Sequence, residues 1–106
     1  MDKSPPPPLN DHQQAAFDGI CTALSMGKSD MDVLEIAQNI VIMLLPGDSH
    51  KDLREKTLAE LSRWFVDMDK VSNVSGEYRT RKMRMVSTEV LRLMISQRPD
   101  MADHAR

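Results

Sequence analysis

The chain has few of the residues that build catalytic and metal sites in small proteins. Among its 106 residues it has one cysteine, Cys21, so an intrachain disulfide and a zinc site with several cysteines are both excluded. Aromatic residues make up 4%, so rigid rings cannot dominate the core. The longest apolar run, residues 40–45, is far too short to cross a bilayer, and the N-terminus lacks the apolar segment of a signal peptide. We therefore expect a cytoplasmic protein with no contact to a membrane.

The pattern of chemically reactive residues predicts a protein that is not an enzyme. The three histidines, His12, His50 and His104, have no second histidine or cysteine at metal-ligand spacing. No glycine-rich phosphate loop or nucleophile elbow occurs in the chain. Cys21 falls on an apolar helix stripe, where a free cysteine usually packs as a small hydrophobic residue. We therefore predict no catalytic residue, no metal and no cofactor, and a structural role for Cys21.

The apolar residues of the chain are spaced as in α-helices. The length of 106 residues suits one domain and not two. Hydrophobic residues make up 41% and include nine methionines, so the chain can bury a core of flexible side chains. Four consecutive prolines, Pro5 to Pro8, place a disordered proline-rich tail at residues 1–10, and Pro99 ends the last helix before a polar tail at 99–106. Between them, residues 11–98 show helical spacing of apolar residues in four segments. The predicted fold is therefore all-α, a compact bundle of about four short helices that forms a dimer.

The sequence also predicts how these helices begin and end. Asn10 or Asp11 can cap the first helix, and Gly27 can close it in a left-handed conformation. Ser29 can cap the second, which covers about residues 30–45 and ends at Pro46 and Gly47. Asp48 or Ser49 can cap the third, a break is expected over residues 71–76, and the fourth follows Gly76 with an apolar stripe. That stripe contains Met83, Val86, Val90, Leu93 and Met94.

The second helix has more apolar surface than a short bundle is expected to cover. Eleven of the fifteen residues from Met31 to Leu45 are apolar, and a helix that is apolar all round must be covered on several sides. Either the other three helices cover it completely, or part of it forms an interface. We predict an interface with a second copy or with a protein partner. Its candidate residues are Val33, Ile36, Ile40, Met43, Leu44, Trp64 and Phe65.

The charge is distributed unevenly along the chain. The formal net charge is −2, but residues 1–76 carry a net −5 and residues 77–98 a net +4. The positive charge includes a cluster at the start of the fourth helix, where basic residues oppose the helix dipole. This cluster can be a solvated or internally paired face, or it can contact a protein or a nucleic acid. The candidate contact residues are Arg79, Arg81, Lys82 and Arg84.

The layout as a whole resembles that of small helical bacterial antiactivators that bind LuxR-type quorum-sensing regulators. The segments that carry this resemblance are PPPPLNDHQQAAF, MDVLEIAQNIVIMLL, LSRWFVDMD and RTRKMRM. The resemblance implies a dimeric helical protein that covers the dimerisation surface of a transcription regulator and so prevents DNA binding without contacting DNA. Two alternatives remain open. One is a helical chaperone or assembly subunit of a secretion or phage system, and the other is a small DNA-binding regulator that uses residues 79–84.

Overall fold

The computed structural model describes residues 8–70 and 75–98. Within these residues the chain forms four α-helices, with a turn of 3₁₀ helix before the third and no β-strand. The predicted all-α fold of four short helices is therefore confirmed. Residues 1–7 and 99–106 of the predicted tails lie outside the described residues. The helices are α1 (Asp11–Leu24), α2 (Asp30–Leu44), α3 (Lys51–Asp69) and α4 (Gly76–Ser96).

Three of the helices begin at a polar residue whose side chain accepts a bond from a free backbone N–H. Asn10 caps α1 in a reciprocal box with Gln13, Ser29 caps α2, and Ser75 caps α4. The predicted cap of α3 by Asp48 or Ser49 is wrong, because these residues form the 3₁₀ turn Asp48–His50 and α3 has no side-chain cap. The 3₁₀ turn leads directly into α3, as such turns often do at helix starts.

The core lies between α4 and the three other helices, and each of those three packs against α4. Its aliphatic and methionine side chains come from every helix, in agreement with the low aromatic content. Leu9 also packs against this core, so contacts with the core begin before Asp11. The largest fully buried apolar side chains are Leu24, Leu45, Leu61, Met83, Leu91, Met94, Ile95, Val33 and Val41.

The carbonyl ends of α1, α2 and α4 are bonded by side chains distant in sequence. Arg84 donates to the carbonyl oxygens of Leu24 at 3.2 Å and Gly27 at 2.9 Å, at the end of α1. Gln13 Nε2 donates to the Ile95 carbonyl at the end of α4, over 2.8 Å. None of these three helices has a basic residue in its own last turn. Carbonyl groups at these ends therefore accept bonds from distant side chains in addition to those from nearby backbone N–H groups.

The end of α2 receives two arginines. Arg54, on α3, donates to the carbonyl oxygen of Leu45 at 2.7 Å and to that of Gly47 at 2.8 Å. Arg98, beyond the end of α4, donates to the Leu44 carbonyl and is itself buried. Positive guanidinium groups at this end also complement the helix dipole.

Gly27 is needed for space and not for a left-handed backbone. Gly47 is the only described residue with a positive φ, at 79°, so the predicted left-handed closure of α1 by Gly27 is wrong. A Cβ atom built on Gly27 would lie 2.7 Å from Cγ2 of Val33. The turn between α1 and α2 therefore passes so close to α2 that only glycine fits.

Candidate protein-binding surfaces

The predicted interface residues of the second helix lie at very different depths. Val33 is 0% exposed and Ile40 is 7% exposed, so both belong to the core and not to an accessible surface. Ile36 and Leu44 are half-buried at its edge. Met43, in contrast, is 69% exposed. The surplus apolar surface of this helix is therefore smaller than its sequence indicates, because most of the circumference is covered by the other helices.

The exposed side of α2 carries three large apolar side chains, which we call the α2 face: Met31, Ile42 and Met43. The exposed polar residues Glu35 and Asn39 lie between them along the helix. Met31 and Ile42 were not among the predicted interface residues. The sequence could not single out Ile42, because the unbroken apolar run 40–45 does not show which of its members face the solvent.

The two predicted interface residues of α3 do not extend the α2 face. Phe65 is half-buried against the core, and Trp64 is 37% exposed. Ser62 marks the side of α3 next to α2, because Gln38 donates a hydrogen bond to its Oγ over 3.5 Å. Trp64 follows Ser62 by two residues and therefore lies about 200° around the helix. It faces the side of α3 on which Glu60 lines a groove of about 100 Å³ shared with α4.

The basic cluster at the start of α4 is largely engaged inside the protein. Arg79 forms an ion pair with Asp30 at 3.1 Å, and both side chains are mostly buried. Arg84 bonds the end of α1, and Lys82 is half-buried. Arg81 is exposed, with its guanidinium 6.0 Å from the centre of the Tyr78 ring. The four predicted contact residues therefore do not form one basic surface.

The solvent side of α4 is a mixed stripe that the sequence did not indicate. Leu93 was predicted to lie on the buried stripe, but this is wrong, because its side chain is 58% exposed. The spacing of three and four residues places it on one side of the helix with other exposed residues. This α4 stripe consists of Tyr78, Arg81, Met85, Glu89 and Leu93.

Polar features elsewhere in the described residues are limited. A cavity of about 570 Å³ lies between the α1–α2 turn and the start of α4, lined by charged residues of both signs, including Lys28, Asp30 and Glu77. No group of three histidine, cysteine or acidic residues within residues 8–70 and 75–98 could hold a metal ion. No described helix meets the length and hydropathy that a bilayer span requires.

Cys21 is half-buried, and its surroundings disfavour the thiolate. Burial raises the pKa of the Cys21 thiol, and the nearby negative charge of Asp18 raises it further. The thiolate is the nucleophilic form of cysteine. This surrounding therefore works against reactivity, and the structural role predicted for Cys21 stays a prediction.

Comparison with known proteins gives no relative for this chain: no protein-family model matches it, and no significantly similar curated protein or solved structure was found. The surfaces themselves are therefore the basis for an assignment.

Proposed function

We propose that this protein is a non-enzymatic antiactivator that binds a LuxR-type quorum-sensing regulator and blocks its dimerisation and DNA binding. The observation that carries the proposal is the α2 face, where the consecutive residues Ile42 and Met43 are both exposed. Apolar side chains in this position gain free energy when a partner removes them from water. The sequence resemblance supplies the class of partner.

The proposed mechanism is masking of the regulator's own self-association surface. Met43 and Ile42 would enter the apolar surface through which the regulator pairs with its second copy. Methionine suits this role because its unbranched side chain adapts to the shape of a groove. The α2 face and its surroundings are acidic, with Glu35 exposed within the face, Asp32 exposed beside it and no basic residue anywhere in α2. Such charges affect the association rate more than the final affinity.

The alternative of a DNA-binding regulator is not favoured by the geometry of α4. Two of its four candidate residues, Arg79 and Arg84, hold Asp30 and backbone carbonyls, and DNA contact would require them to exchange these partners. A chaperone or assembly subunit could use the same α2 face. The identity of the bound protein distinguishes that alternative from an antiactivator.

The direct test is release of operator DNA from a LuxR-type regulator. A labelled operator with the bound regulator is titrated with this protein, and fluorescence anisotropy follows release. We expect release by the natural chain and at least about tenfold weaker action by Met43→Asp, because a charge would enter an apolar contact. Met26→Asp is the matched control, since Met26 is 73% exposed but lies in the turn after α1.

Two results would overturn the proposal. The regulator would remain dimeric and bound to its operator at saturating protein, or Met26→Asp would weaken release as much as Met43→Asp. Purification of the tagged chain from cell extract, followed by mass spectrometry, tests the alternative. A secretion or phage subunit as the enriched partner would replace the antiactivator assignment.

A further inference from the structure

The α4 stripe has a symmetry that the α2 face lacks. Met85, 49% exposed, lies at its centre. Arg81 precedes Met85 by four residues and Glu89 follows it by four, so each lies about 6 Å from Met85 along the helix axis. Tyr78 and Leu93 come next in the two directions, at about 10 and 12 Å. The stripe is therefore apolar at its centre and at both ends, with opposite charges between.

We propose that the α4 stripe is the surface through which two copies of this chain associate, with the two α4 helices antiparallel and Met85 on the two-fold axis. This goes beyond the proposed function and assigns a surface to the homodimer that the sequence predicts. In this arrangement Met85 meets the partner's Met85, and Tyr78 lies against the partner's Leu93. Arg81 lies opposite the partner's Glu89, and the symmetry repeats this contact.

Charge decides the direction of the two helices. A parallel arrangement about the same centre would bring each Arg81 against the partner's Arg81 and each Glu89 against the partner's Glu89. Like charges placed opposite each other are unfavourable, whereas the antiparallel arrangement replaces both repulsions by two attractions. The same surface then contacts itself, as a two-fold interface requires.

The α4 stripe and the α2 face are made of different residues. The side chains that α4 buries, such as Met83 and Leu91, point towards the other helices, so the stripe faces away from the core. The α2 face belongs to a different helix, and the two surfaces share no side chain. A second copy on α4 would therefore use none of the side chains proposed to contact the regulator.

The test is a charge exchange measured by sedimentation equilibrium of the full chain at micromolar concentration. The natural chain should show twice the monomer mass of 12.0 kDa. Arg81→Glu places like charges at both symmetric contacts and should raise the dimer dissociation constant at least about tenfold. Glu89→Arg should do the same. The double variant Arg81→Glu with Glu89→Arg should restore dimerisation to within about threefold of the natural chain.

Rescue by the double variant identifies a contact between two copies. Within one chain the two residues are two turns apart, about 12 Å along the axis, and the Arg81 guanidinium lies over Tyr78, towards the opposite end of the helix. Glu35→Arg is the matched control, because it reverses a charge on exposed α2 and should leave the dimer intact. Circular dichroism checks that each variant keeps its helices.

Each other outcome decides against the α4 surface. A natural chain that stays at 12.0 kDa at every concentration overturns both the homodimer and this surface. A dimer that survives both single reversals, or that the double variant fails to restore, overturns this surface alone. None of these measurements contains the regulator, so masking is judged separately by operator release.

Discussion

At the scale of single residues, two glycines differ in whether there is space for a side chain. An added methyl group would overlap a neighbour at Gly27, whereas at Gly19 it would meet nothing. Gly27 is buried in the turn between α1 and α2, where Val33 occupies the position of any added methyl group. Gly19, inside α1, is exposed and has nothing within 4 Å of the position of its missing Cβ atom. The same substitution should therefore have opposite effects at the two sites.

Gly27→Ala should lower the free energy of unfolding by about 1 to 3 kcal/mol, because the new methyl group overlaps Val33 Cγ2. Gly19→Ala should raise it by about 0.5 to 1 kcal/mol, because alanine is the better residue in an exposed helix interior. Urea denaturation followed by circular dichroism measures both. Equal effects at the two positions would contradict the close approach of the α1–α2 turn to α2.

At the scale of the helices, α4 is held by arginines that the sequence marks only as a charge cluster. Four basic residues near a helix start oppose the dipole, and the structure explains two of them by contacts outside α4. Arg79 neutralises Asp30 in the first turn of α2, and Arg84 bonds the carbonyl end of α1. The unfavourable interaction of Arg79 and Arg84 with the dipole of α4 is thus offset by their contacts with the start of α2 and the end of α1.

Arg84→Leu should cost about 1.5 to 3 kcal/mol of unfolding free energy, because it removes charge-assisted bonds to the carbonyl oxygens of Leu24 and Gly27. Arg81→Leu is the matched control on the same helix and should change stability by less than about 0.5 kcal/mol, because Arg81 is exposed. Thermal and urea unfolding at a concentration where the chain is monomeric give both values. A large loss in Arg81→Leu would show that exposed contacts along α4 support the fold.

These helices also show how far the sequence allowed prediction. The starts of α1 and α2 were predictable because a cap is local: Asn10 and Ser29 lie within three residues of the N–H groups that they bond. The ends were not, since Arg84 is 57 residues from Gly27 and Gln13 is 82 residues from Ile95. The exposed α4 stripe was not predicted either, because it depends on how the other helices pack against α4. Periodicity gives a helix its apolar side, but only the positions of neighbouring helices show which flank of that side they cover.

At the scale of the whole molecule, the charge is arranged against binding to DNA. The formal net charge is −2, and the positive segment at the start of α4 uses Arg79 and Arg84 for internal contacts. Affinity for DNA comes chiefly from phosphate neutralisation by free cationic side chains. Two of the four basic residues at the start of α4 are therefore not free to neutralise phosphates without giving up these contacts.

We expect no binding to a labelled 30-base-pair duplex of about 10 µM or tighter, even at about 50 mM salt, where phosphate contacts are strongest. Fluorescence anisotropy measures this directly, and the regulator itself serves as the positive control. Binding that weakens steeply as salt is raised would instead support the alternative of a DNA-binding regulator.

The hydrogen bonds that one helix donates to the carbonyl end of another affect how the protein unfolds. Gln13 of α1 donates a hydrogen bond to a carbonyl oxygen at the end of α4, and Arg84 of α4 donates one at the end of α1. Arg54 of α3 donates one at the end of α2. Opening the first turn of α1 removes the bonds that Gln13 donates to the carbonyl oxygens of Ile95 and Arg98, so fraying at the start of α1 also weakens the end of α4. Unfolding of α1 alone would therefore also cost hydrogen bonds at the end of α4. These bonds therefore link the ends of helices that are far apart along the chain, so a local disturbance in one helix reaches another.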